Sequence, residues 1–168
     1  MKVFFKAAIV ILVSTQSANA FSLAFQNYTT QIGRKIVATV SNKYRVLENT
    51  PYCRNGDGIL GYVSFNKPRT FGICTQRIVL GSLANGQSAK PMINETVYHE
   101  GVHAAQGCHP KYWVLGLRDD QIRMSNDLWQ HINEVTSGLD PRSRRMEIEA
   151  YFLEDKPQRV LEYVRRYC

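Results

Sequence analysis

The sequence lacks any long hydrophobic run. One membrane-spanning helix needs about 20 consecutive apolar residues, and no apolar stretch in the 168 residues comes close to this length. This excludes a protein with several membrane spans. It also has no internal repeat, no low-complexity linker and no motif typical of nucleic-acid binding, so we expect no nucleic-acid partner. Charged residues make up 21% and apolar residues 44% of the chain, a balance typical of one folded domain rather than a disordered one.

The beginning of the chain has the pattern of a secretory signal. Lys2 and Lys6 come before a short apolar stretch at residues 7–13, and residues 18–20 have the small-x-small form of a cleavage site. We therefore expect residues 1–20 to be a signal peptide and residues 21–168 to form a single domain. Export could lead to a periplasm, a lumen or the external medium, with no stable membrane insertion after cleavage.

No two cysteines form a C-x-x-C pair, which disfavours a thiolate zinc site or a thioredoxin-like redox site. The four cysteines all follow the predicted signal, and an even number in an oxidising compartment indicates two disulfides. Three pairings are possible. We favour Cys53 with Cys74, which would join neighbouring extended segments, and Cys108 with Cys168, which would close a long loop.

Turn and strand signals predict an α+β fold, in which a small antiparallel sheet comes before a helical half. Turn residues at 55–58 and 66–69 bracket a predicted strand at 59–65. Residues 70–74 are expected to pair with it, and this second strand could continue to residue 80. Residues 31–40 are compatible with either a helix or a strand.

Four helices are predicted in the second half. Pro91 is expected to end the preceding element, and Asn94 then acts as the N-cap of a helix that stops at Gly107. A second helix is predicted over residues 119–135. Asp140 followed by Pro141 predicts a third helix to about residue 154, and Pro157 predicts the start of a fourth.

The first of these helices carries an H-E-x-x-H motif. His99 and His103 are four residues apart, so they lie on one helix face, where two imidazoles can bind one zinc ion. Glu100 is placed to act as general base on a zinc-activated water and to protonate the leaving amine. The flanking residues are uncharged, as a buried catalytic helix requires. We interpret Gly101 as a point of close packing.

On these residues the chain resembles the zincin metallopeptidases. The resemblance implies that His99 and His103 are zinc ligands and that Glu100 is the catalytic base. Gluzincins often supply the third ligand as a glutamate in an E-x-x-A context on a downstream helix, which residues 147–150 match with Glu147 as the ligand. The order of a strand near residues 72–76 and then the H-E-x-x-H helix also resembles the core of the mitochondrial ATP-synthase-assembly peptidases. The chain is similar, too, to small exported H-E-x-x-H proteins.

Two alternatives for the third ligand stay open. Glu149 lies on the same predicted helix but about 200° around it from Glu147, so only one of the two can serve. His109 has the spacing of the third histidine in metzincins, H-E-x-x-H-x-x-G-x-x-H. However, Gln106 stands where that pattern has glycine, and Gly107 comes one position late.

Tyr151 occupies a position where gluzincins often carry an acidic residue or an asparagine that supports a histidine. Its hydroxyl could do similar work, or it could donate a hydrogen bond to an oxyanion. His131 is predicted on the second helix, and we rank it no higher than a structural histidine, although an oxyanion role is an alternative.

These features predict an exported, gluzincin-like zinc metalloendopeptidase that hydrolyses peptide bonds through a zinc-activated water. The minimal zincin-like fold is expected to place the edge strand above the metal, where it could bind a peptide or protein substrate by strand addition. The alternative is a catalytically inactive module with a zincin fold that binds a metal or another protein.

Overall fold

The computed structural model describes residues 24–55, 58–110 and 114–168. The predicted signal peptide therefore lies outside the described residues. Over the described ranges the chain forms an α+β fold with a small three-stranded sheet and several helices, as the sequence predicts. A search of these same ranges finds no helix that combines the length and the apolar character needed to cross a membrane.

The sheet has the strand order β1-β3-β2, with β1 at Arg45–Glu48, β2 at Gly61–Ser64 and β3 at Thr70–Ile73. Strands β2 and β3 are antiparallel, as predicted, with Val63 opposite Phe71. Strand β1 runs parallel to β3, so the sheet is mixed, and the prediction of a purely antiparallel sheet is wrong. The four-residue β1 has little apolar alternation, and its pairing with β3 is long-range in sequence.

The described residues contain seven α-helices. These are α1 (Gln31–Val40), α2 (Pro51–Asn55), α3 (Thr75–Ala84), α4 (Ala89–Cys108), α5 (Asn126–Val135), α6 (Pro141–Leu153) and α7 (Pro157–Tyr167). Helix α4 is the centre of the fold, because it packs against α1, α3, α6 and α7 and also against strands β2 and β3. The H-E-x-x-H motif is therefore carried by the central helix of the fold.

Two helices begin where proline predicts them. Helix α6 starts at Pro141, and the Asp140 carboxylate accepts hydrogen bonds from the first free backbone amides of that helix. Helix α7 starts at Pro157. Residues 31–40, for which the sequence is compatible with either a helix or a strand, form helix α1. The region after β3 forms α3 and does not extend the strand.

Helix α4 begins earlier than the sequence predicts. Its N-cap is Ser88, and Pro91 lies in the first turn, where a missing backbone N–H costs no intrahelical bond. Asn94 is thus not a cap: its buried side chain accepts from Thr30 N at 2.7 Å and donates to Tyr28 O at 2.9 Å. These contacts fix the segment that leads into α1.

The predicted helix at 119–135 is also shorter than expected. Only α5, from Asn126 with Ser125 as its N-cap, is α-helical, and a single 3-10 turn lies at Asp119–Gln121. Ser125 accepts a hydrogen bond from Leu128 N and so starts the helix within the predicted range.

Close packing at Gly101 is confirmed. A Cβ at this position would lie 3.0 Å from both Ile36 of α1 and Val160 of α7. Glycine at this position therefore lets α1 and α7 approach α4 closely.

Both favoured disulfides are confirmed. Cys53 of α2 is joined to Cys74 at the end of β3, and Cys108 at the end of α4 is joined to Cys168. No described cysteine is free. Two disulfides are compatible with an exported protein in an oxidising compartment.

Removal of the Cys108–Cys168 disulfide should destabilise the fold strongly. The bond spans 60 residues, and on the loop-entropy account closure of a loop of this size contributes about 4 kcal/mol. We expect urea unfolding of the variant C108A/C168A to give a free energy of unfolding lower by about that amount. A variant as stable as the oxidised wild type would contradict this expectation.

Candidate metal centre

Helices α4 and α6 bring together His99, His103 and Glu147, a group of ligand atoms that could hold a metal ion. The two Nε2 atoms lie 3.2 Å apart. The Glu147 carboxylate lies 3.4 Å from His99 Nε2 through Oε2, and 3.4 Å from His103 Nε2 through Oε1. The sequence predicted these three residues as the ligand set, and the structure places them side by side.

The distances within the cluster are compatible with one metal ion. Zinc takes histidine nitrogen at about 2.0–2.1 Å, so two ligands of a tetrahedral site lie about 3.3 Å apart. The separation of the two Nε2 atoms, and the separation of each Nε2 atom from the nearer Glu147 oxygen, lie within about 0.2 Å of this value; the two Glu147 distances end on different oxygens. A fourth position of such a tetrahedron is left for a non-protein ligand.

The outward-facing nitrogens of both histidines are anchored. His99 Nδ1 is 2.8 Å from Glu154 Oε2, and His103 Nδ1 is 2.8 Å from Gln106 Oε1. Because both partners offer an acceptor oxygen, Nδ1 carries the proton in each ring and donates it. Both Nε2 atoms then point into the cluster, and atoms so close require a proton or a metal ion between them.

The electrostatics of the cluster also favour a cation. Burial lowers the pKa of His99, but its hydrogen bonds with Glu147 and Glu154 outweigh this and raise the pKa to about 10. Burial alone would raise the pKa of Glu147, yet its hydrogen bonds with His103 and His99 bring that pKa well below the usual range. Both shifts mean that the site stabilises one positive charge among its ligands.

Sequence reasoning missed the two residues that support the histidines. Glu154 is the C-cap of α6 and lies seven residues after Glu147, about two helical turns, so the two lie on one side of the helix with Tyr151 between them. This spacing in the sequence indicates that Glu154 can face the same site as Glu147. Gln106 lies three residues after His103, and in the sequence it stands out only as a departure from the metzincin glycine.

Neither alternative ligand reaches the cluster. Glu149 is fully buried beside Gln106, where its carboxylate accepts from Leu115 N at 2.6 Å. Helix α4 continues through Gln106 to Cys108, so there is no turn to bring His109 back. The His109 ring instead packs edge-on against Tyr167, with centroids 4.5 Å apart.

Glu100 lies beside the cluster and is almost completely buried. Burial raises the pKa of its carboxyl group, and the adjacent His103 and His99 partly offset this effect. Strand β2 begins directly against this side chain: a Cβ on Gly61 would lie 2.7 Å from Glu100 Cγ and 2.7 Å from Thr96 Cγ2. Glycine at position 61 therefore allows the sheet edge to approach the motif.

Replacement of Gly61 by alanine should disturb this contact. The new methyl group would overlap the Glu100 side chain, and overpacking of this kind costs about 1–3 kcal/mol. Gly81 in α3 is a matched control, because a Cβ there meets nothing within 4 Å. Urea unfolding should show a lower stability for G61A and an equal or higher stability for G81A. Equal effects of the two substitutions would contradict this interpretation.

Two clefts meet at His99, Glu100 and Gly61. The larger, of about 410 Å³, is lined by apolar and aromatic side chains that include Tyr52, Tyr62, Val63, Phe65 and Met146. The second contains Tyr151 and His131. The cluster is thus open to ligands from outside.

Tyr151 and His131 lie next to each other at the second cleft. The Tyr151 ring packs edge-on against His99 at 4.8 Å between centroids and against His131 at 5.6 Å. Burial and the nearby carboxylates, Glu147 first among them, raise the pKa of Tyr151 to about 12. Its hydroxyl group therefore stays protonated near neutral pH and can act as a hydrogen-bond donor. The hydrogen-bond acceptor that supports His99 is Glu154 and not Tyr151, because Glu154 Oε2 lies 2.8 Å from His99 Nδ1.

The family described as Domain of unknown function (DUF8637) matches residues 21–168, so the chain belongs to this family. A search of curated proteins finds no match, and neither does a search of solved structures.

Proposed function

We propose that this protein is an exported, zinc-dependent metallopeptidase of gluzincin type. One observation carries the proposal: His99, His103 and Glu147 converge with the spacing of a tetrahedral site, beside the buried carboxylate of Glu100. The H-E-x-x-H motif and a glutamate from a downstream helix form the ligand set of the gluzincins that the sequence resembles. The two disulfides support export.

Zinc is the metal that best fits this donor set. Two imidazole nitrogens with one carboxylate oxygen are typical of catalytic zinc sites, which have three protein ligands and one open position. Structural zinc sites use four protein ligands instead, most often with several cysteines, and the described cysteines are all in disulfides. When bound, zinc supplies Lewis-acid chemistry that polarises a carbonyl group and makes water more acidic.

Glu100 has the role of general base in this proposal. Its carboxylate accepts a proton from the attacking water, and the resulting acid donates that proton to the nitrogen of the leaving amine. The raised pKa of Glu100 suits this exchange, because a group that is too acidic would hold the proton poorly. In this proposal Tyr151 donates a hydrogen bond to the negative oxygen that develops. Its ring packs against His99 and against His131, and its raised pKa keeps the hydroxyl group protonated.

The proposed substrate is an extended segment of a peptide or protein. Strand β2 is at one edge of the described sheet, so its outer backbone groups are available for pairing with such a segment. The same strand borders the larger cleft. The aromatic and apolar lining of that cleft favours a large apolar side chain close to the cleaved bond.

A cleavage assay with a mixed peptide library tests the proposal. The oxidised full chain should cleave peptides when loaded with zinc, lose this activity with a chelator, and regain it when zinc is added back. Mass spectrometry of the products would locate the cleaved bonds. Stoichiometric zinc binding without cleavage of any library member would reject the peptidase proposal in favour of a non-catalytic metal-binding module.

A further inference from the structure

The side-chain amide of Gln106 has no freedom to rotate. Gln106 is completely buried, and its Nε2 donates to Met146 O at 3.0 Å and to Glu149 Oε2 at 3.1 Å. Both partners are acceptors, so the NH2 group must face them. The Oε1 atom is thereby turned toward His103 Nδ1, 2.8 Å away, where it can only accept.

The Glu149 carboxylate makes a second set of contacts in the same buried position. It accepts from the backbone amides of Leu115 at 2.6 Å, Gly116 at 3.1 Å and Leu117 at 3.2 Å. The Arg145 guanidinium, 3.8 Å from Glu149 Oε1, supplies a nearby positive charge. A carboxylate that accepts from several donors is held firmly, and it fixes the groups that donate to it.

A continuous chain of hydrogen bonds therefore joins the backbone at 115–117 to the metal centre. Glu149 orients the amide of Gln106, and the amide oxygen accepts a hydrogen bond from His103 Nδ1–H. The Nε2 lone pair of His103 is then left to face His99 and Glu147. Partners of this kind raise ligand basicity and fix ring orientation, and their loss typically costs about 10–100-fold in metal affinity.

We infer that Glu149 is a positioning residue, which acts through Gln106 to set the tautomer of His103 and couples metal binding to the order of residues 115–117. The inference deepens the proposed function and rests on its metal centre, but not on peptide cleavage. Coupling is reciprocal: a metal ion on His103 stabilises the Gln106–Glu149 arrangement, and that arrangement in turn holds the amides of residues 115–117.

The first experiment measures the tautomer and the affinity. NMR of the metal-free, oxidised full chain with 15N-labelled histidine should show His103 protonated on Nδ1 in the wild type. The variant Q106L should show a mixture with the Nε2-protonated form, and its zinc dissociation constant should rise about 10–100-fold. The control Q158L removes the same side chain from an exposed position of α7 and should change neither result.

The second experiment measures the coupling. Zinc should slow hydrogen exchange at the amides of Leu115, Gly116 and Leu117 in the wild type. The variant E149Q keeps the volume of the side chain, but its NH2 group must face either Gln106 or the amides of residues 115–117, and all of these groups are donors. It should therefore weaken zinc binding, and the zinc dependence of exchange at these amides should be lost. This isosteric variant also decides the matter if Q106L does not fold.

The outcomes separate this inference from the proposed function. An unchanged His103 tautomer and zinc affinity in Q106L, or zinc-independent exchange at 115–117 in the wild type, would overturn the inference. A wild type that binds zinc and shows the coupling but cleaves no peptide would leave the inference standing and reject the peptidase. If the wild type binds no zinc, both the metal centre and the coupling fail.

Discussion

Replacement of Glu147 by alanine should lower the zinc affinity of the chain by at least about 100-fold. Glu147 is the anionic member of the ligand set, and its two oxygens lie 3.4 Å from the Nε2 atoms of His99 and His103. The variant leaves two imidazoles with neither a third ligand nor a neutralising charge. A competition titration with a chromogenic chelator, on oxidised protein without a histidine tag, would measure the change.

His109 provides the control for this prediction, because the metzincin alternative makes it the third ligand. Its ring contacts Tyr167, away from the cluster, so H109A should bind zinc as the wild type does. Loss of zinc in H109A, together with normal binding in E147A, would contradict the ligand set. Circular dichroism of both variants would establish that each is folded.

Replacement of Glu100 by glutamine should abolish cleavage without loss of metal. The amide has nearly the shape of the carboxylate, but it cannot accept the proton of the attacking water. Removal of a general base typically costs about 10²–10⁴-fold in rate. Glu100 is not among the three clustered ligands, so the zinc content should equal that of the wild type. Rates of cleavage of a fluorogenic peptide identified from the library would measure this loss.

A matched substitution guards this second prediction against a general effect of charge. Glu162 is exposed on α7, and E162Q removes one carboxylate from the chain as E100Q does. It should cleave at the wild-type rate. Equal activity of wild type and E100Q would mean that the measured cleavage comes from another source, and the proposed role of Glu100 would be wrong.

The parts of the site that could be predicted from the sequence are those fixed by helix geometry. Four-residue spacing places His99 and His103 on one face, and Asp140 with Pro141 starts α6 in the register that presents Glu147. Both are local rules with few competing solutions. The favoured disulfide pairing was confirmed, but the sequence alone left three pairings possible.

Features that depend on long-range contacts could not be predicted. Strand β1 is identified by its parallel pairing with β3 and not by its own pattern. Asn94 looks like a helix cap in sequence, yet it is buried because α1 packs against that turn of α4. Gln106 has a function only because Glu149 of another helix fixes its amide. In each case the deciding partner is distant in sequence.

Measurement of the metal content most directly tests the central claim, that one cation is held between His99, His103 and Glu147. The oxidised, untagged full chain and the H103A variant would each be loaded with zinc and passed through gel filtration. Their zinc content would then be measured by inductively coupled plasma mass spectrometry. We predict about one zinc per wild-type chain and a large loss in H103A. A wild type without retained metal, or an H103A variant that retains as much as the wild type, would contradict the account.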